Sequence, residues 1–124
     1  MEENISGFEN LEVWKEARSF RLMISEFCKI LPPEEKFRLL DQIKRSSRSV
    51  TANISEGYGR FSYVDNIKFC RDSRGSLNET LDHLIVALDE QYITNEQFII
   101  YKKQFEKVLK LLNGYIAYLK KQKK

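Results

Sequence analysis

A chain of 124 residues with 42% hydrophobic and 31% charged side chains has the length of one domain and the composition of a soluble one. Its five glycines and two prolines leave little material for the many turns of an all-β fold. The net charge of +3 hides a segregation: residues 1–35 sum to −4, 36–60 to +4, 61–100 to −4 and 101–124 to +7. The opening Met1-Glu2-Glu3-Asn4 is acidic rather than apolar, which speaks against a signal peptide. The longest apolar run, Leu84-Ile85-Val86-Ala87-Leu88, is far too short to span a bilayer. A cytoplasmic protein with no membrane contact is therefore expected, with Cys28 and Cys70 as small hydrophobes in a reduced interior.

The first predicted helix runs from about 10 to 31, with Asn10 as N-cap. Its apolar stripe is Val13, Ala17, Phe20, Ile24, Phe27 and Leu31, and Pro32-Pro33 stops it. A second, over about 34–57, places Glu34 and Glu35 at its positive end. Its stripe is Leu40, Ile43, Ser47, Val50 and Ile54, flanked by the small residues Ser46, Ser49 and Ala52. Gly57 and Gly59 are expected to end it through a positive φ. The third, about 62–90, has Ser62 as N-cap with Asp65 three residues on. It carries Ile67, Cys70, Leu77, Leu81, Leu84 and Leu88, interrupted by Arg74. The fourth, about 94–121, opens on the capping box Thr94/Gln97 and carries Phe98, Tyr101, Phe105, Val108, Leu112, Tyr115 and Leu119. The lysine-rich tail Lys120-Lys121-Gln122-Lys123-Lys124 follows.

Long helices joined by short connections predict a single all-α domain over 1–124, an antiparallel up-down-up-down four-helix bundle. Apolar residues exceed what one bundle interior needs. Leu11, Trp14, Leu22, Met23 and Ile30 lie off the first stripe, as do Ile99, Ile100, Leu109, Leu111, Ile116 and Tyr118 off the fourth. Such widened stripes predict a second buried surface and hence self-association.

The stretch from Gln42 to Arg60 carries Gln42, Arg45, Ser49, Ala52, Asn53, Ile54, Glu56, Gly57, Gly59 and Arg60 in a distinctive spacing. It resembles the signature of the bacterial four-helix-bundle proteins encoded in intervening sequences of large-subunit ribosomal RNA genes. Phe8-Glu9-Asn10-Leu11-Glu12-Val13-Trp14 resembles the opening of that family, and Arg74-Gly75-Ser76-Leu77-Asn78-Glu79 an element of its third helix. Ser46, Thr51 and Ser73 depart from it by adding polarity where the second and third helices meet. The resemblance implies a ring-like homopentamer. It also implies kinship with the accessory variability determinant of diversity-generating retroelements, which binds nucleic acid and a reverse transcriptase.

Candidate phosphate-contacting residues are Arg38, Lys44, Arg45, Arg48 and Arg60 around the second helix, and Lys102, Lys103, Lys107 and Lys110 on the fourth. Lys44 and Arg48 are four apart and Arg38 and Arg45 seven apart, so most can share one broad face of the helix. No base-reading motif is present, so binding to RNA or DNA is expected to be independent of sequence. The same residues read equally well as a solvated face or as partners of the acidic helices. In that case the protein is an adaptor or scaffold for another protein. Asn53, Glu56, Gly57, Gly75, Ser76 and Glu79 are expected to be structural, with Gly75 admitting a close helical neighbour. His83 is the one histidine, with Glu79 four residues before it. A lone histidine provides neither a di-metal bundle site nor a nucleophile–base pair. No Gly-rich phosphate loop occurs, so no enzymatic activity, metal or cofactor is expected.

Overall fold

The computed structural model describes residues 7–123; the opening Met1-Glu2-Glu3-Asn4 and the final Lys124 lie outside the described residues. Four α-helices, α1 (Glu12–Cys28), α2 (Leu39–Tyr58), α3 (Tyr63–Asp89) and α4 (Asn95–Gln122), pack against one another, and no strand occurs among the described residues. Short 3-10 turns precede α1 (Phe8–Asn10) and α2 (Pro33–Glu35).

The helix starts differ from expectation where a turn does the capping. Asn10 is not the N-cap of α1. It closes the 3-10 turn, Leu11 takes the cap position without a side-chain bond, and Phe8 meets the Trp14 ring edge-on at 5.2 Å. The far end of α1 stops at Cys28 rather than 31, because Lys29, Ile30 and Leu31 donate to carbonyls three residues back. That tighter winding leads the chain into Pro32, which disfavours helix in the residue before it. Likewise α2 begins at Leu39 rather than 34. Glu35 reaches forward from the preceding turn, and its carboxylate accepts from the Leu39 backbone N–H at 3.2 Å. A second bond, 2.7 Å from the Tyr92 hydroxyl, ties this turn to the α3–α4 connection.

The caps of α3 and α4 are as predicted: Ser62 accepts from Asp65 N–H, and Thr94 and Gln97 bond reciprocally. At its C-terminus α3 closes with Tyr92 N–H on the Ala87 carbonyl and Gln91 N–H on the Leu88 carbonyl, a Schellman motif. Gln91, at φ 64°, fills the left-handed position that glycine usually takes.

The expected positive φ at Gly57 and Gly59 is absent; Gly59 sits at φ −78° and no described glycine is left-handed. Gly57 serves a different need. A Cβ there would stand 2.6 Å from Asn66 Oδ1 and 3.0 Å from Phe69 Cβ, so only glycine lets α2 and α3 approach this closely. Gly75, expected at a close contact, is exposed with nothing within 4 Å of its would-be Cβ. The intimate contact lies about two turns earlier on α3, at Asn66 and Phe69.

The α1 stripe is buried from Val13 to Phe27, and Leu31 is half-buried. On α2 the buried leucine is Leu39 rather than Leu40, and Ala52 is exposed. The buried set of α3 is wider than predicted, taking in Ser73, Thr80 and Ala87, because that helix packs against both α2 and α4. The α2–α3 seam is the most extensive in the bundle. Its hydroxyls find one another: Ser46 with Thr80 at 2.8 Å, Ser76 with Ser49 at 2.9 Å, and Ser73 onto the Val50 carbonyl at 2.7 Å. Along this seam the partner numbers fall on α2 as they rise on α3. Polarity at Ser46, Thr51 and Ser73 therefore costs little, since each buried hydroxyl has a partner.

Several surplus apolar residues are absorbed. Ile116 belongs to the core, and Leu11, Trp14, Leu109 and Leu111 pack against it. Leu22, Ile30, Ile99, Ile100 and Tyr118 stay exposed, joined by Phe37, Phe61 and Val64. Both cysteines are buried and free, and burial pushes the Cys70 thiol up to about 11. No described helix is long and apolar enough to cross a membrane.

Candidate nucleic-acid interface

The five basic residues around α2 do not form one patch. Arg38 is the exposed N-cap of α2, and Arg60 lies just past its other end. At 1.5 Å per residue the two stand roughly 30 Å apart. Arg45 is paired with Asp41 one turn back at 3.8 Å, both well exposed, so the pair adds little to stability. Arg60 pairs with Glu56 at 2.8 Å and lies over the Phe69 ring, 4.9 Å from its centroid.

Lys44 and Arg48 do come together, one turn apart on α2, and Arg21 of α1 joins them. These three cations, with Leu22, Ser25 and Ser47, line a cavity of about 100 Å³ that contains no acidic side chain. Arg21 is held there by a 2.9 Å bond from its guanidinium to the Thr51 hydroxyl. The buried Cys28 thiol lies close enough to feel both cations of α2: burial raises its pKa, and Lys44 and Arg48 pull against that rise. Arg21 was not a sequence candidate, since it flanks the α1 stripe and is one basic residue in a segment whose sum is acidic.

On α4, Lys102 pairs with Glu106 at 3.8 Å. Lys107 reaches Glu16 of α1 at 3.4 Å, where Gln104 also donates to the Glu16 carboxylate and carbonyl at 2.9 Å each. The Gln104 bond, with help from Lys107, holds the Glu16 carboxyl below the usual range. Those two lysines are thus spoken for by carboxylates, while Lys103 and Lys110, seven residues apart on one face, are exposed and have no such partner among the described residues.

A second gathering of positive charge lies where the first turns of α3 meet the last turns of α4. Lys68, Arg71, Lys120 and Lys123, with Val64 and Ile67, line a groove of about 420 Å³. None of these cations was a candidate. Val64, Ile67, Lys68 and Arg71 nevertheless follow the i, i+3, i+4, i+7 spacing that puts residues on one helix face, which was the available signal.

The remaining polar motif residues each have a partner within the bundle. Asn53 donates to the Ser49 carbonyl and hydroxyl, Ser76 bonds Ser49, and Glu56 holds Arg60. Glu79 meets His83 at 3.3 Å on the same helix. No cluster of three or more His, Cys, Asp or Glu side chains suited to a metal occurs among the described residues.

Comparison with known proteins bears on most of the chain. The profile of the family described as 23S rRNA-intervening sequence protein matches residues 9–114. A solved structure from Bacteroides thetaiotaomicron VPI-5482, described as a protein with unknown function from the S23 ribosomal protein family, is 31% identical. It superposes with a TM-score of 0.78, covering 85% of this chain and 95% of that one. None of the curated proteins matches the sequence.

Proposed function

This chain belongs to the 23S rRNA-intervening sequence protein family, and on that premise we propose a non-enzymatic, homo-oligomeric helical bundle that binds nucleic acid through its basic surface. The observation that carries the reading is the convergence of Arg21, Lys44 and Arg48 on one acid-free cavity spanning two helices. Arg21 is held in place by Thr51, and cations gathered without a carboxylate suit phosphate oxygens, with displaced counterions supplying the affinity. The α2–α3 partners, numbered in opposite directions, support an antiparallel up-down-up-down bundle as the subunit. Exposed Leu22, Ile30, Ile99 and Ile100 support assembly of several copies, for which a pentameric ring is the proposed form. Those same apolar residues also favour a second reading, an adaptor for another protein. Met23, Ile100 and Tyr101 line a shallow apolar hollow of about 280 Å³ that such a partner would fill.

The test is a salt titration of RNA and duplex DNA binding by the wild type and by a Lys44→Gln/Arg45→Gln/Arg48→Gln variant. Folding is checked by circular dichroism and mass by light scattering. Weaker binding by a similar factor across sequences is expected. The salt dependence should flatten by about 0.9 per lost phosphate contact on duplex and about 0.7 on single strands. Wild type that binds nothing at low salt removes the nucleic-acid reading in favour of the adaptor, and a mass of 14.7 kDa removes the assembly.

A further inference from the structure

The groove between α3 and α4 differs in kind from the α1–α2 cavity. Four of its six lining side chains are cations, none is acidic, and none of the four pairs with a carboxylate among the described residues. It is large enough to seat a small ligand or part of a chain, whereas the α1–α2 cavity is not. Beside it, at the same end of the bundle, aromatic rings stand in solvent. Phe61 is fully exposed, Tyr63 is 44% exposed and Tyr118 is 53% exposed. All three line a neighbouring hollow of about 330 Å³ together with Arg60 and Tyr115. Tyr118 is stacked on Tyr115, at 6.3 Å and 13° between planes, which holds its ring flat. Tyr115 is anchored in turn by a 3.3 Å bond from Asn66. Lys68 also lies over the Phe69 ring at 5.2 Å, with Arg60 over the same ring, so a continuous strip of cations and rings joins the two hollows.

We propose that this end of the bundle binds a single-stranded nucleic-acid segment, with phosphates on Lys68, Arg71, Lys120 and Lys123 and bases stacked on Phe61, Tyr63 and Tyr118. The inference rests on the nucleic-acid reading above and adds where and in what form the strand is held. Charge chooses a polyanion for the groove. Two copies meeting through it would set four cations against four. The rings choose the single strand, because a duplex hides its base faces and offers nothing to stack. Stacking on these rings is tolerant of sequence, because every base has a face to stack.

The experiment compares a labelled RNA strand of about 12 nucleotides, within the range one such platform spans, with its duplex by fluorescence anisotropy over a salt series. A Phe61→Leu/Tyr63→Leu/Tyr118→Leu variant keeps apolar bulk and removes the rings. Phe61→Leu alone, at a side chain wholly in solvent, guards against misfolding. The ring variant should lose about tenfold in single-strand affinity per ring used, with salt slope and duplex affinity unchanged. A Lys68→Gln/Arg71→Gln/Lys120→Gln/Lys123→Gln variant should flatten the single-strand salt slope by up to about 3. Equal losses on strand and duplex overturn the inference, as does ring-variant binding equal to wild type, or a fall in its light-scattering mass that assigns the rings to contacts between copies. If these variants bind normally while the Lys44/Arg45/Arg48 variant does not, the inference falls and the functional reading stands. If wild type binds no nucleic acid, both fall.

Discussion

The seam between α2 and α3 and the seam between α1 and α4 are built from opposite materials. The first is small and polar: Gly57, Ser46, Ser73 and Thr80 let the helices come close, and hydroxyls bond across the gap or onto backbone. The second is large and apolar, with Phe27 edge-on to Tyr101 at 5.8 Å, and one polar strap, Glu16 held by Gln104 and Lys107. A polar seam depends on geometry, since each hydroxyl must find its partner. An apolar seam depends on volume, since dispersion and desolvation reward closely filled space without requiring particular partners. The two seams should therefore fail differently when residues are changed.

The largest effect is expected on the apolar side. Phe27→Ala removes a fully buried ring and should cost about 3–5 kcal/mol in urea unfolding, with the exact value set by how far the cavity collapses. A cost under about 1 kcal/mol would mean that volume is not what holds α1 to α4. Next comes Gly57→Ala. Helix propensity alone favours alanine by about 1 kcal/mol, yet the added methyl collides with Asn66 and Phe69, so a net loss of about 1–3 kcal/mol is expected. Gly75→Ala is its control: nothing stands near that position, and the protein should gain up to about 1 kcal/mol in thermal melts. Two glycines in two helices then respond with opposite signs. The smallest effect is at the hydroxyl pair. Ser46→Ala or Thr80→Val should each cost about 1 kcal/mol, since the survivor still donates to Ile43 or Ser76 in its own helix. The double variant should cost less than the two singles added, and strict additivity would show that the hydroxyls do not act as a pair.

Periodicity made α1 and α4 legible in the sequence, because their stripes from Val13 to Phe27 and from Phe105 to Leu119 are apolar and regular. It read α2 and α3 less well. Ser46, Ser73 and Thr80 are polar letters at buried positions, and no pattern of hydrophobicity shows that they will find each other. Gly57 was identified as special for a reason that proved different, close approach rather than a left-handed turn. Gly75 carried the expectation that belonged to Gly57, since a lone glycine in a helix does not reveal which way it faces. The basic site was half visible. Lys44 and Arg48 share a face of one helix, a local fact; Arg21 meets them only through tertiary packing. Lys68 and Arg71 were masked by averaging, for a segment that sums to −4 can still bring two of its cations to a groove that no carboxylate lines.

The clasp between Glu35 and Tyr92 gives the bundle a working range of acidity with two edges. The Tyr92 hydroxyl and then the Leu39 backbone N–H hold the Glu35 carboxyl below its ordinary value. Its stabilising share is present once the pH exceeds the unfolded carboxyl's pKa, and it is lost as the pH falls through the lower folded one. Tyr92 is displaced the other way, up to about 12, chiefly by donating to that same carboxylate. Its share is complete below the ordinary tyrosine value near 10 and disappears as the pH climbs through about 12. Between those edges the connection ahead of α2 and the connection after α3 are fastened to each other. Tyr92→Phe should abolish the basic edge and weaken the acidic one, which the Leu39 N–H still holds in part. Unfolding midpoints should then be less sensitive to base above about pH 10 and somewhat less sensitive to acid below about pH 4.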